Sequence, residues 1–255
     1  MLPIERRKEI MSILRREGSV KAEELARHYD VGVPTIRRDL KHLAQTQGIS
    51  LMYGGAYISE NGQETIKELN IASKQHEHVE EKRMIARKAA ALIRDGETIA
   101  LNSGSTVEFI LDYIDESISN INVLTLSINV AVKARALPNV TVYMPGGKLR
   151  SISGAFIGSR ANEFISQFNI DKAFMGVLAV SMKKGVTHSS LDEIMTNQAL
   201  AAVSNHCYLV ADYSKFDKVS MANMFDLEMF EAFIVDDKIP KKYLEYAKNN
   251  DIQII

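Results

Sequence analysis

Apolar residues recur at helical spacing three times near the start of the chain. Ile4, Ile10, Ile13 and Leu14 fall on one stripe of a helix over residues 4–16, with arginines and glutamates elsewhere, and Gly18 ends it. A second helix, Lys21–Tyr29, turns Ala22, Leu25 and Ala26 inward and stops at the tight turn Asp30-Val31-Gly32. A third, over 33–43, carries Pro34 in its first turn, where a missing N–H costs nothing, and repeats Ile36, Leu40 and Leu43 at i, i+4, i+7 until Gly48. Two short strands follow, Ile49–Tyr53 and Ala56–Ser59, joined across Gly54-Gly55. Three helices and a hairpin predict a winged helix-turn-helix over residues 1–59.

The pattern then changes twice. Residues 60–76 are mostly polar and read as a linker. A helix over 78–94 places Ile85, Ala89 and Leu92 inward and breaks at Asp95-Gly96. Beyond it, short apolar runs alternate with helical stripes. The runs are Thr98–Leu101, Val123–Thr125, Val140–Met144, Lys172–Val177, Cys207–Ala211, Ala232–Val235 and Ile252–Ile255. The stripes are Val107–Ile114, Ile128–Ala136, Arg160–Phe168, Glu193–Ser204 and Lys241–Lys248. Such alternation predicts an α/β domain over 77–255, its mostly parallel sheet covered on both faces.

Charge refines this division. The chain of 255 residues has a formal net charge of -1, yet residues 1–53 sum to +3 and the remainder to -4. A basic head on an acidic body suits a small nucleic-acid module joined to something else. Cys207 is the only cysteine, which excludes an intrachain disulfide and a cysteine-rich zinc site and agrees with a reducing cytoplasm. No run of about 18 apolar residues suggests a membrane helix, and the first residues lack signal-peptide character, so a cytoplasmic protein is expected. The six histidines show no metal-ligand spacing, and neither a metal nor a cofactor is expected.

The most specific segment is Val31-Gly32-Val33-Pro34-Thr35-Ile36-Arg37-Arg38-Asp39-Leu40. With Ile36, Leu40 and Leu43 inward, Thr35, Arg37, Arg38 and Lys41 lie on the open side of the third helix. The N-terminal residues of a recognition helix meet base edges in the major groove, and arginine suits a bidentate contact with guanine. Lys21, Arg6 and Arg7 are candidate phosphate contacts, which fix register without reading sequence. The alternative for Arg37 and Arg38 is a solvated surface of a structural bundle. The string Thr-Ile-Arg-Arg-Asp-Leu at 35–40 and Gly54-Gly55-Ala56 after the wing resemble the DeoR family of bacterial regulators, and the likeness runs over essentially the whole chain. Departures stand at Gly32 (usually Ser), Leu51 (usually Arg) and Tyr53 (usually His), which implies weaker wing contacts to DNA. Tyr53 keeps a hydroxyl for a phosphate.

In the second domain, Asn102-Ser103-Gly104-Ser105-Thr106 follows a predicted strand and precedes a predicted helix. Free amides at a helix start attract phosphate, and open α/β sheets hold ligands at the carboxyl ends of their strands. An ordinary capped helix start is the plainer alternative. Further strand ends present Ser127, Gly146 and Gly147, Thr187 and Lys215. These segments, with Glu193, resemble the DeoR effector domain, which shares its fold with sugar-phosphate isomerases such as ribose-5-phosphate isomerase. The resemblance implies a phosphorylated sugar or related metabolite as effector and a repressor that it releases from an operator on double-stranded DNA. It carries function best onto Ser105, Thr106 and Lys215. Asn102 stands where Asp is usual, Leu126 where Asn is usual, and Asn197 near a usual Lys, so a different ligand or a lower affinity is implied.

Two other classes compete. An isomerase needs a general base, and Met175–Ser181, the corresponding strand end, holds no Asp or Glu. Glu193 reads there as a helix-start acid favourable to the macrodipole. A protein-interaction module without DNA binding is the other. The regulator reading includes a homo-oligomer that presents paired recognition helices to repeated half-sites.

Overall fold

The computed structural model describes residues 3–17, 19–47, 49–52, 55–58, 64–65, 68 and 71–255. The chain divides into two compact units, Met1–Thr65 and Ile66–Ile255. The second therefore begins inside the stretch expected to be a linker.

In the first unit, helices α1 (Pro3–Glu17), α2 (Ala22–Tyr29) and α3 (Val33–Gln47) enclose one apolar cluster. It contains Ile10, Leu14, Leu25, Ile36, Leu40 and Leu43. Ile4, expected on the inner stripe, is exposed, and Arg6 takes the buried place one turn before Ile10. Three strands complete the unit: β1 (Ser19–Lys21), β2 (Ile49–Met52) and β3 (Gly55–Ile58), with β3 central and antiparallel to both. Strand β1 escapes sequence reading because three residues carry no period. Gly55 is required where it stands, since a Cβ there would lie 1.9 Å from the Val20 carbonyl oxygen.

The second unit is built on a seven-stranded sheet in which every pairing is parallel. Its spatial order is Gln253–Ile254, Ala232–Val235, Ser204–Ala211, Ile170–Gly176, Thr98–Leu101, Ile121–Thr125, Val140–Tyr143. Alternate residues enter opposite apolar clusters: Ile99, Leu101, Phe174 and Val210 on one face, Ala100, Ala173, Met175 and Leu209 on the other. The apolar runs are continuous because both faces are covered. Cys207 is buried on the strand Ser204–Ala211. Chain order reverses between Thr98–Leu101 and Ile170–Gly176, the switch point at which open α/β sheets leave a crevice.

Two smaller β layers stand outside this sheet. The hairpin Lys148–Arg150 with Ala155–Ile157 supplies Arg150 and Ser153. An antiparallel sheet of Ala179–Ser181, Gly185–His188 and Ala222–Phe225 supplies His188. The expected helix over 107–114 is instead a short helix, Ser105–Glu108, running into a 3₁₀ turn, Phe109–Tyr113. Among the described residues no helix is long and apolar enough to cross a membrane.

Candidate functional site

On the first unit, Ile36, Asp39, Leu40 and Leu43 turn inward on α3, and Arg37, Arg38 and Lys41 are exposed. Among the described residues none of these three cations pairs with a carboxylate. Thr35 is half-buried in the first turn, its N–H donating to the Gly32 carbonyl at 2.9 Å. Lys21 is exposed and pairs loosely with Glu24 at 3.1 Å. Tyr53 lies outside the described residues.

Arg6 and Arg7, read from the sequence as candidate phosphate contacts, are drawn into an ion pair with Asp39. Their Nε atoms donate to the two Asp39 oxygens at 2.6 and 2.8 Å, and the Arg6 and Asp39 side chains are only 7% and 3% exposed. Asp39 sits three residues after Ile36, and Arg6 four before Ile10, so both charges occupy buried faces and are stable there only as a pair. The pair clamps α1 to α3 and orients the exposed face of α3.

On the second unit, a pocket opens at the switch point. It is lined by Asn102, Ser103, Gly104, Ser105 and Thr106 after one strand and Gly176–Leu178 after its neighbour. Glu193, Asn197 and Lys215 join them, as do Glu68, Ile71 and Lys74 from the start of the unit. Ser105 and Thr106 are buried, and no side chain caps the helix they open, so its first amides remain available to a ligand. Ser127 contrasts with them: its own hydroxyl accepts from the Val130 N–H at 3.3 Å, a self-contained cap outside the lining. Gly146 and Gly147 form an exposed turn before the hairpin, with Gly147 at φ +116°, also outside it. Thr187 is buried, its hydroxyl accepting from the Ser220 N–H at 2.7 Å. Asn102 lines the pocket but its amide is occupied. It donates to the Gly176 carbonyl at 2.9 Å and to Asn197 at 2.8 Å, and accepts from the Gly176 N–H at 2.8 Å.

Glu193 is a hub rather than a mere helix-start acid. It accepts from Arg150 at 2.8 Å and Ser153 at 2.5 Å, and faces His188 Nε2 and the Ser103 hydroxyl at 3.5 Å. His188 Nδ1 accepts from the Ser190 N–H at 3.1 Å, which aims Nε2 at Glu193. Arg150 also binds Glu68 at 2.8 Å. Burial opposes ionisation of Glu68, but hydrogen bonds from Arg150 and Ser189 outweigh it and hold its pKa below the usual value. Glu68, His188 and Glu193 have ligand atoms within 4.8 Å of one another, a spacing that fits a cation. Arg150 already lies against both carboxylates and supplies that positive charge.

Cations gather on the other side of the pocket. Lys215 lies 3.7 Å from the fully buried Asp212 carboxylate. Lys82 is buried and donates to the Lys74 carbonyl. Burial, reinforced by Lys215, pulls Lys82 down to about 8, and burial also lowers Lys74. Sequence reading missed Glu68, Lys74 and His188 in the pocket lining, and Arg150, which holds two of its carboxylates. They come from three separate segments of the chain, and no local spacing marks them.

A family model described as the DeoR-like helix-turn-helix domain matches residues 6–61, and one described as the DeoR C terminal sensor domain matches 77–237. The glycerol-3-phosphate regulon repressor of Escherichia coli (strain K12) is 31% identical over 254 residues, covering 100% of this chain and 99% of that protein. The lactose phosphotransferase system repressor of Staphylococcus aureus (strain MRSA252) is 31% identical over 232 residues, 91% of each chain. A solved ribose 5-phosphate isomerase A from Methanocaldococcus jannaschii aligns with 53% of this chain and 53% of its own at a TM-score of 0.40 and 18% identity.

Proposed function

This chain belongs to the DeoR family of DNA-binding transcriptional regulators, and on that premise we propose that it represses a carbohydrate-metabolism operon until a phosphorylated sugar or related metabolite fills the switch-point pocket. The observation that carries this reading is the uncapped loop Asn102–Thr106 opposite Lys215. Helix-start amides and hydroxyls take phosphate oxygens, and a lysine adds a point charge. On the DNA side, Arg37 and Arg38 read base edges, with Thr35 beside them. Lys41 and Lys21 hold the backbone. The protein works in the cytoplasm as a homo-oligomer, whose paired heads match repeated half-sites. Glu193, drawn into ion pairs, positions Arg150 and Ser153 instead of removing a substrate proton.

A thermal-shift screen of sugar phosphates on the full chain tests the reading, followed by operator-fragment mobility with and without the best ligand. One sugar phosphate is expected to raise Tm and weaken operator binding, and Lys215→Gln should reduce both effects. A ligand that binds equally well to Lys215→Gln would remove the pocket from the mechanism. Turnover of a sugar phosphate by the purified protein would make it an enzyme.

A further inference from the structure

The residues that enter the pocket from the start of the second unit lie between the two family matches, which end at 61 and resume at 77. They are nonetheless fastened on every side. Glu68 binds Arg150 at 2.8 Å and accepts from the Ser189 hydroxyl at 2.7 Å. The Ile71 N–H donates to the Ile152 carbonyl at 2.9 Å, tying the short helix Ile71–Lys74 to the hairpin. Gln75 donates to Glu108 at 2.9 Å, on the helix that opens at the phosphate loop. Lys82 holds the Lys74 carbonyl. Glu68 and Ile71–Gln75 thus act as a strap, bound to four separate parts of the unit, that places one acid and one base in the pocket lining.

Charge and space give the strap a role. Lys74 faces Glu68 at 3.9 Å, too long for a good hydrogen bond, so its ammonium is only partly satisfied and lies largely buried. Within the lining, Lys74 and Lys215 balance Glu68 and Glu193, and Arg150 reaches both of those carboxylates from beside it, so an incoming anion meets cations already matched with acids. The enclosed cavity is about 50 Å³, small beside the roughly 300 Å³ or more of ordinary ligand pockets. Glu68, Ile71 and Lys74 form one side of it.

We infer that this strap belongs to the ligand site: Lys74 binds the anionic group of the effector together with Lys215, and Glu68 is a built-in carboxylate that competes with that group for Lys74 and Arg150. The inference rests on the pocket being the effector site. Its consequence is that ligand occupancy is sensed by the first segment that follows the DNA-binding unit in the chain. A sugar phosphate must take Lys74 from Glu68 to bind, so the strap gives up a contact whenever the pocket fills.

Inorganic phosphate, titrated calorimetrically into the full chain, is the probe. Lys74→Gln should weaken phosphate binding about tenfold, Lys74→Arg should restore most of it, and Glu68→Gln should tighten it several-fold. Lys215→Gln should lose it. Melting curves without phosphate establish that each variant is folded. Since Arg150 keeps Glu193 as a partner, Glu68→Gln retains that contact in the hairpin. Wild-type phosphate affinity in both Lys74→Gln and Glu68→Gln, with loss in Lys215→Gln, would leave the pocket standing and overturn the strap. If the unmodified chain binds neither phosphate nor any sugar phosphate, the pocket reading fails and the strap fails with it.

Discussion

The two units treat positive charge in opposite ways. On α3 of the first unit, Arg37, Arg38 and Lys41 stand in water without carboxylate partners among the described residues. In and beside the pocket of the second unit, Lys74, Lys215 and Arg150 each face an acid. Duplex DNA brings its own dense negative charge and releases counterions when lysines and arginines arrive, so its reader keeps cations free and hydrated. The pocket withdraws its cations from water, where an unpaired charge is costly, so each is matched by an acid. Arg6 shows that the rule follows burial and not the unit, since it too is buried and paired, with Asp39.

The sharpest way to break this contrast is to remove the buried acid of the head. Asp39→Ala strands Arg6 and should destabilise the first unit by about 3–5 kcal/mol. Chemical denaturation should then show an early transition for the head alone, with operator binding lost. An unchanged transition would mean that the pair does not clamp α1 to α3. Next in size, Arg37→Ala should cost about 1–3 kcal/mol in operator affinity and relax base preference at one position, while the melting curve stays put. Lys41→Ala should weaken all sequences alike and lower the salt slope by about 1. Equal behaviour of the two variants would erase the division between base reading and backbone holding.

A further test is a pH dependence of the second unit. Lys82 is lowered from 10.5 to about 8 by burial. Between those values the unfolded chain binds the extra proton, so stability rises with pH through this window and falls as pH drops toward 8. The Lys82→Met variant should lose that slope, measured as the difference in denaturation midpoint from the unmodified chain. An equal slope in both would show that Lys82 titrates normally.

Much of this was legible beforehand because local periods encode it. The stripes Ile36–Leu40–Leu43 and Ala22–Leu25–Ala26 face inward as read, and the seven apolar runs match the seven parallel strands to within a few residues. The loop 102–106 was legible as a turn from strand to helix. The burial of Arg6 was visible in its register: four residues before Ile10, it belongs to the inward face, where it pairs with Asp39. What stayed hidden depends on tertiary closure. Arg150 and Glu193 meet only because a three-residue hairpin strand lies against the start of a helix 43 positions away. Glu68 and Lys74 read as linker because their segment is polar, and polarity there reflects a lined pocket rather than open water.

The lone thiol of Cys207, buried in a central strand and raised by burial to about 11, is a poor nucleophile toward mild oxidants while the chain is folded. The same burial turns it into a clock. Alkylating reagents can reach this sulfur only when the sheet opens, so the rate of labelling times the unfolding of the sensor unit without any engineered probe. A bound effector would slow that clock.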